Sequence, residues 1–133
     1  AKLLPMYFAT ASPKEAADRA EILYAPLVID VALMGMGDDG HTASWFTDAE
    51  GLEAALDPTN ARAVVAVHAP QAQGSADRLT LTSRAISRVG RQILLLTGAA
   101  KRDRLQTAIA NRDAPVAALF APGMPPMEVL WAP

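Results

Sequence analysis

An aspartate and a histidine stand two positions apart in a glycine-rich turn of the sequence, which reads Asp39-Gly40-His41. Histidine is the side chain best suited to accept a proton near neutral pH. A carboxylate two residues away can hold the imidazole in one orientation. The residue types alone admit two interpretations: a general base with its orienting acid, or an ordinary turn that contains a histidine by chance.

The chain has one other histidine, His68, at the end of a predicted strand over residues 63–68. We expect its side chain to pack against neighbours or to face solvent. His41 is therefore the candidate base.

A strand must carry this turn, because the apolar run over residues 27–34 directly precedes it. Such a run is typical of a strand that is covered on both faces. Ligands of open α/β sheets bind at the carboxyl ends of strands, so we expect His41 at the mouth of a pocket. Gly37 and Gly40 would let the backbone approach a ligand, and the turn's amides would favour an anion. We expect a short helix over residues 41–46.

The rest of the pattern predicts alternating helices and strands. A helix should begin at Pro13, with Ser12 as its N-cap and Glu15 at the capping-box position. Further helices are predicted over residues 83–89, capped by Ser83, and 99–111; further strands over 78–82, 92–97, 116–120 and 129–131. This alternation predicts one α/β domain, residues 1–133, with a Rossmann-like, mostly parallel sheet and helices on both faces.

The composition excludes several classes of function. The 133 residues carry a net charge of −2, without the basic excess of a nucleic-acid binder. No apolar stretch is long enough to span a bilayer, and we expect a soluble, cytoplasmic protein. Cysteine is absent, which excludes disulfides and cysteine-based zinc sites. One histidine beside two adjacent carboxylates rarely completes a metal site, so no metal is expected.

Residues 35–40 match the glycine spacing G-x-G-x-x-G of dinucleotide-binding turns. Asp38 and Asp39 would then face the pyrophosphate. The acidic residue expected about 20 positions later, at the end of a second strand, has no clear match. A dinucleotide site is therefore not favoured, and we expect no cofactor.

Residues 30–44, which end in Gly35-Met36-Gly37-Asp38-Asp39-Gly40-His41-Thr42-Ala43-Ser44, resemble the signature of the 6-phosphogluconolactonase family, G-M-G-x-D-G-H-T-A-S after a buried strand. Three further segments match in order. Residues 15–24 are similar to the helix before the signature strand, residues 78–82 to R-[VI]-T-L-T, and residues 96–101 to a strand followed by G-x-x-K.

This resemblance implies hydrolysis of 6-phospho-D-glucono-1,5-lactone to 6-phosphogluconate, a step of the pentose phosphate pathway. His41 would activate the water with the help of Asp39. Gly37 and Gly40 would line the substrate site, and Arg78 and Lys101 would bind the phosphate. The partner would be a small sugar-phosphate lactone, with no nucleic acid and no membrane.

The sequence also departs from the family pattern. Trp45 and Thr47 stand where the family usually has Leu and Pro. Two upstream family motifs, S-G-G-S/T-T-P and D-E-R, are not found. The expectation is that the chain corresponds to the C-terminal part of the fold, is weakly active or inactive alone, and associates with itself or with an N-terminal fragment.

Three alternatives stay open at this point. Glucosamine-6-phosphate deaminases share the D-G-H element, but they continue to N-E-P, which this sequence lacks after His41. A non-catalytic sugar-phosphate-binding domain would keep the pocket without the chemistry. An inactive fragment is the third.

Overall fold

The computed structural model describes residues 2–133. In chain order the elements are α1 (Pro13–Tyr24), β1 (Val31–Gly35), α2 (Leu52–Leu56), β2 (Val64–His68), β3 (Asp77–Leu81), α3 (Ser83–Ile86), β4 (Arg91–Thr97), α4 (Ala99–Asn111), a 3-10 helix (Pro115–Phe120) and β5 (Met127–Ala132).

The strands β1, β4 and β5 form a parallel sheet in the order β1-β4-β5. Leu33 of β1 pairs with Ile93 of β4, and Leu95 pairs with Leu130 of β5. The predicted α/β class with a parallel sheet is confirmed. Because β1 and β4 are parallel neighbours, the turns that follow their carboxyl ends lie at the same edge of the sheet.

The strands β2 and β3 form a separate antiparallel pair, and α1 packs against it. The carboxylate of Glu21 on α1 accepts hydrogen bonds from the backbone N–H groups of Ala63 and Val64, at 2.9 and 2.8 Å. These bonds satisfy backbone donors at the start of β2, so the helix fixes the strand pair that carries Arg78.

The predicted start of α1 is confirmed: Ser12 caps the helix by accepting from the backbone N–H of Glu15 at 3.2 Å. The Glu15 carboxylate accepts from the backbone N–H of Ala11, one residue before the position that a standard capping box uses. The helix buries Ala16, Ala17 and Ala20. These small residues permit close approach to β2 and β3.

Strand β1 is shorter than predicted and is not covered on both faces. Within the described residues it forms an edge of the sheet, and Leu33 is 64% exposed. Leu95 and Leu130 are also exposed, and their pairing places them in one row across β4 and β5. We call the surface formed by Val31, Leu33, Leu95 and Leu130 the open sheet face.

Three local predictions are wrong. Residues 116–120 form part of the 3-10 helix rather than a strand, because Pro115 begins a helical turn there. Residues 41–46 form turns and a short bridge between Thr42 and Trp45 rather than a helix. The helix α3 is capped by the hydroxyl of Thr82 instead of Ser83, whose hydroxyl donates to the carbonyl of Leu56.

The core lies between the sheet and the layer formed by α4 and the 3-10 helix. Its largest fully buried side chains include Trp45, Leu94 and Leu119. Gln92 is also fully buried, and its amide donates to the carbonyls of Leu119 and Pro125, which ties the 3-10 helix to β4. No helix within residues 2–133 combines the length and apolar character needed to cross a bilayer.

Candidate active site

The turn after β1 closes on itself through backbone hydrogen bonds. The N–H of Gly37 donates to the carbonyl of His41 at 2.9 Å, and the N–H of Gly40 donates to the carbonyl of Gly37 at 3.0 Å. The carbonyl of Gly40 accepts from the N–H of Val116, in the 3-10 helix. These bonds fix His41 at the carboxyl end of the sheet.

His41 and Asp39 form a hydrogen-bonded pair within this turn. Nδ1 of His41 lies 2.6 Å from Oδ1 of Asp39, and the same oxygen accepts from the backbone N–H of His41 at 3.1 Å. A carboxylate at Nδ1 favours the tautomer with the proton on that nitrogen, which leaves Nε2 with a free lone pair. Nε2 has no hydrogen-bond partner among residues 2–133, and the side chain is 30% exposed.

The pKa of the Asp39 carboxyl lies below its ordinary value of 3.8. Partial burial by itself raises this pKa, but the hydrogen bonds from the backbone and ring of His41 stabilise the charged form and outweigh the burial. Asp39 is therefore a carboxylate throughout the neutral pH range.

The amides of the turn are mostly occupied, contrary to the expectation that they would face an anion. The N–H groups of Gly37, Gly40 and His41 each donate to an oxygen of the turn itself. They shape the turn and are not free to stabilise a developing oxyanion.

Both glycines of the predicted substrate site are required by close contacts. A side chain at Gly37 would collide with the imidazole of His41 and would lie 2.8 Å from Oδ1 of Asp39. Gly40 has φ +88°, and a Cβ there would lie 2.6 Å from the Cβ of Ala114. Gly37 leaves room for the imidazole, and Gly40 lets the turn pack on the segment before the 3-10 helix.

The residues after His41 anchor the turn to the core. The hydroxyl of Thr42 donates to the carbonyl of Gly35 at 2.8 Å, and the indole of Trp45 donates to the carbonyl of Leu81 at 2.9 Å. Both side chains are almost completely buried. Trp45, a departure from the family pattern, therefore ties the His41 segment to β3.

Phe46 was not identified from the sequence as part of the site. Its ring stacks on the imidazole of His41, with centroids 4.1 Å apart and an angle of 27° between the planes. The guanidinium of Arg78 lies over the same phenyl ring, with Cζ 5.4 Å from the centroid. Arg78, which β3 carries, is thus joined to His41 through Phe46.

Arg78 has few other restraints. Its Nη2 donates to the carbonyl of Gln73, in the loop before β3. Nε is shielded from solvent and has no hydrogen-bond partner among the described residues. The guanidinium retains donors for an additional acceptor.

Lys101 lies in the first turn of α4, which follows the carboxyl end of β4. Its ammonium donates to the carbonyl of Met36 at 2.9 Å and lies 3.6 Å from the carboxylate of Asp38. The structure therefore brings Lys101 to the turn that holds His41. An ammonium has three donors, so Lys101 can still contact an anion.

Arg104 also contacts the turn, although the sequence analysis did not single it out. It donates to the carboxylate of Asp113 at 2.8 Å and to the carbonyl of Asp39 at 3.4 Å. Its position one turn after Lys101 on α4 was the available signal, since residues three or four apart share a helix face.

His68 lies in β2, and its Nδ1 is 2.7 Å from Oδ1 of Asp77, its cross-strand neighbour in β3. Both side chains are substantially exposed. The contact resembles that of His41 with Asp39 but lies on an exposed strand pair without a glycine-rich turn.

Within residues 2–133, no three side chains among histidine, aspartate and glutamate come together as a metal site. The candidate site of His41, Asp39, Phe46, Arg78 and Lys101 instead combines one imidazole, one carboxylate, one phenyl ring and two cations. Such a set can move a proton and hold an anionic group.

Comparison with known proteins adds a family relationship. The profile described as Glucosamine-6-phosphate isomerases/6-phosphogluconolactonase matches residues 1–131. A 6-phosphogluconolactonase of Mesorhizobium japonicum is 38% identical over 136 residues, which cover 100% of this chain and 56% of the relative. One of Rhizobium meliloti is 37% identical and is covered to 59%.

Solved structures show the same relationship. A crystal structure of a 6-phosphogluconolactonase from Shewanella baltica has a TM-score of 0.85 at 28% identity, covering 96% of this chain and 55% of that one. A putative 6-phosphogluconolactonase from Neisseria gonorrhoeae gives 0.86 at 28% identity, with 97% and 57% covered. The chain thus spans a little over half the length of the relatives it matches.

Proposed function

The chain belongs to the family of glucosamine-6-phosphate isomerases and 6-phosphogluconolactonases, and we propose that it carries the catalytic groups of a 6-phosphogluconolactonase. The reaction is hydrolysis of 6-phospho-D-glucono-1,5-lactone to 6-phosphogluconate, in the pentose phosphate pathway. Relatives named 6-phosphogluconolactonase at 37–38% identity favour this activity over the isomerase activity that the family also contains.

The pair of His41 and Asp39 is the observation that carries the proposal. Asp39 holds Nδ1 at 2.6 Å and so presents Nε2 as a base beside the carboxyl end of β1. A histidine so oriented can take a proton from water as the water attacks the lactone carbonyl. Because Asp39 stays ionised, it also stabilises the imidazolium that this step produces.

The proposed reaction then proceeds through a tetrahedral intermediate. The water oxygen forms a bond to the carbonyl carbon, and the carbonyl oxygen becomes an oxyanion. When the intermediate collapses, the bond between that carbon and the ring oxygen breaks. The ring oxygen takes the proton from His41 and leaves as a hydroxyl group, and the product acid then ionises. The step needs no redox partner.

Two cations suit the phosphate of this substrate. Among the described residues the guanidinium of Arg78 donates only through Nη2, so Nη1 keeps donors that can bind phosphate oxygens. Lys101 adds a point charge at the turn, although the carboxylate of Asp38 partly neutralises it. In this proposal the two cations hold the phosphorylated end while the carbonyl lies beside His41.

The open sheet face bears on the behaviour of the chain alone. Apolar strand surface and an unpaired edge promote association with other polypeptide. We propose that the chain associates with itself or with a further segment of its relatives' fold, and that its turnover alone is weak. The cytoplasmic location expected from the sequence belongs to the same proposal.

Hydrolysis can be followed directly by proton release at constant pH, with spontaneous lactone hydrolysis as the blank. The proposal predicts that the chain accelerates hydrolysis of 6-phosphogluconolactone and does not release ammonia from glucosamine 6-phosphate. A chimera in which residues 1–133 replace the matched 56% of the Mesorhizobium protein should be more active than the chain alone. Ammonia release without lactone hydrolysis would contradict the proposal.

A further inference from the structure

The phenyl ring of Phe46 contacts both the candidate base and one of the candidate phosphate-binding cations. It stacks on His41 with centroids 4.1 Å apart and lies 5.4 Å from the Cζ of Arg78. These side chains come from different parts of the chain, since His41 follows β1 and Arg78 lies in β3. Among the described residues, the ring is the element that links them.

The backbone of Phe46 is well placed for this task because its neighbour is anchored in the core. Trp45 is fully buried and donates its indole N–H to the carbonyl of Leu81, in the strand that carries Arg78. The carbonyl of Phe46 accepts from the N–H of Ala49. The phenyl ring therefore projects from a fixed segment.

The two groups that Phe46 contacts have few other restraints. Asp39 holds the imidazole of His41 at Nδ1, and Gly37 lies against the ring. The stacked phenyl ring adds a further contact. The guanidinium of Arg78 has a hydrogen bond to Gln73, a residue of an exposed loop. Contact with a flat aromatic face restricts the orientation of both groups, because stacked rings and cation–π pairs depend on geometry.

We propose that Phe46 is a positioning residue that sets the orientation of His41 and Arg78 relative to each other. This inference rests on the proposed function, since it assigns the base to His41 and the phosphate contact to Arg78. Phe46 itself transfers no proton and donates no hydrogen bond. It acts by keeping the base at the lactone carbonyl when the phosphate is held by Arg78.

A positioning role for Phe46 predicts different effects of substitution from those of a residue that only packs. Loss of the aromatic face should weaken binding of the phosphorylated ligand through Arg78 and lower turnover through His41. A misplacement of about 1 Å can cost roughly 100-fold in rate. An aromatic replacement should preserve both properties, whereas an aliphatic one of similar size should preserve neither.

The test compares Phe46→Leu, Phe46→Tyr and Phe120→Leu with the wild-type 133-residue chain. Phe120 is the matched control, because it is also half-buried but packs against the core from the 3-10 helix. Binding of 6-phosphogluconate is followed by the NMR signals of the His41 ring, which a His68→Gln variant assigns. Turnover is measured as kcat and KM on 6-phosphogluconolactone with the same variants in the chimera with the Mesorhizobium protein, because the chain alone is expected to turn over weakly.

We expect Phe46→Leu to lower kcat/KM by roughly 10–100-fold, to weaken 6-phosphogluconate binding and to remove the ring-current shift of the His41 signals. Phe46→Tyr and Phe120→Leu should stay within about twofold of wild type. Wild-type binding and turnover in Phe46→Leu would overturn this inference alone. A wild-type chain that does not bind 6-phosphogluconate, together with a chimera with the Mesorhizobium protein that does not hydrolyse the lactone, would overturn the proposed function.

Discussion

The imidazole of His41 occupies the space into which any side chain at Gly37 would project. The same imidazole is hydrogen-bonded to Asp39, so the glycine, the histidine and the aspartate form one packed unit within a turn of five residues. Position 37 therefore requires glycine for steric reasons. The φ angle of Gly37 is not positive, in contrast to those of Gly40 and four other glycines.

Gly37→Ala should consequently disable the site while the fold persists. The added methyl group would force the His41 ring away from Asp39, and we expect turnover to fall roughly 100-fold, as for other small misplacements of reacting groups. Gly35→Ala is the matched control, since a Cβ at Gly35 meets nothing within 4 Å. Turnover and far-UV circular dichroism are measured on both. Equal turnover in the two variants would contradict the steric argument.

Lys101→Ala should discriminate between phosphorylated and unphosphorylated lactones. Removal of a charge-assisted contact to phosphate should raise the KM for 6-phosphogluconolactone roughly 10–100-fold. The KM for glucono-1,5-lactone should change little. Arg102→Ala is the control on the same helix, because its guanidinium contacts Asp103 and the ring of Trp131 instead. Equal effects of Lys101→Ala on both lactones would exclude a phosphate contact.

The depressed pKa of Asp39 predicts a pH dependence of stability. Since the folded-state pKa lies below the ordinary value of 3.8, the charged carboxylate stabilises the fold above that value. This contribution should decline as the pH falls below 3.8 through the folded-state pKa. The contribution is measured as the difference in the free energy of unfolding between wild type and Asp39→Asn, from urea unfolding at pH values from 7 to 2.5. A difference that grows on acidification would have the wrong sign.

The open sheet face predicts self-association of the 133-residue chain. Leu33 at 64% exposure and Leu95 and Leu130 beside it present an apolar row next to an unpaired strand edge. Leu33→Lys should lower the solution mass measured by light scattering, because a charge on an edge strand opposes pairing. Ile22→Lys, at an exposed residue of α1, is the control. A wild-type chain that is monomeric at high concentration would contradict this expectation.

The sequence predicted those parts of the fold that depend on local signals. The cap at Ser12, the proline at position 13 and the glycine before Ala99 mark helix ends through local chemistry, and both α1 and α4 begin where these residues stand. The parallel sheet followed from the alternation of strands and helices. These features need no knowledge of tertiary contacts.

The errors arose where tertiary packing decides the structure. The short apolar run over residues 116–120 fits a strand or a helical segment equally well, and its packing against α4 as a 3-10 helix was not visible in the pattern. The segment after His41 is held by Thr42 and Trp45, which bond to Gly35 and Leu81. Those bonds replace the helix that the local sequence predicted.

In the candidate site, too, residues close in sequence were predicted and contacts between distant residues were not. The motif identified His41, Asp39 and their glycines, because these residues are close in sequence. Phe46 and Arg104 were missed, since their roles depend on contacts with Arg78 and Asp39 across different elements. The amides of Gly37, Gly40 and His41 were expected to face an anion, and the residue types alone did not show that they donate within the turn.

The most direct measurement is the turnover of 6-phosphogluconolactone by His41→Ala beside that of His68→Ala, both made in the full-length chimera with the Mesorhizobium protein. Each variant removes a histidine whose Nδ1 contacts an aspartate, at 2.6 Å for His41 and 2.7 Å for His68. His68→Ala therefore controls for the loss of a histidine–aspartate contact. We predict that His41→Ala lowers kcat by roughly 10²–10⁴-fold, the range for a general base, and that His68→Ala retains wild-type turnover. Near-wild-type turnover in a folded His41→Ala protein would contradict the assignment of His41 as the base.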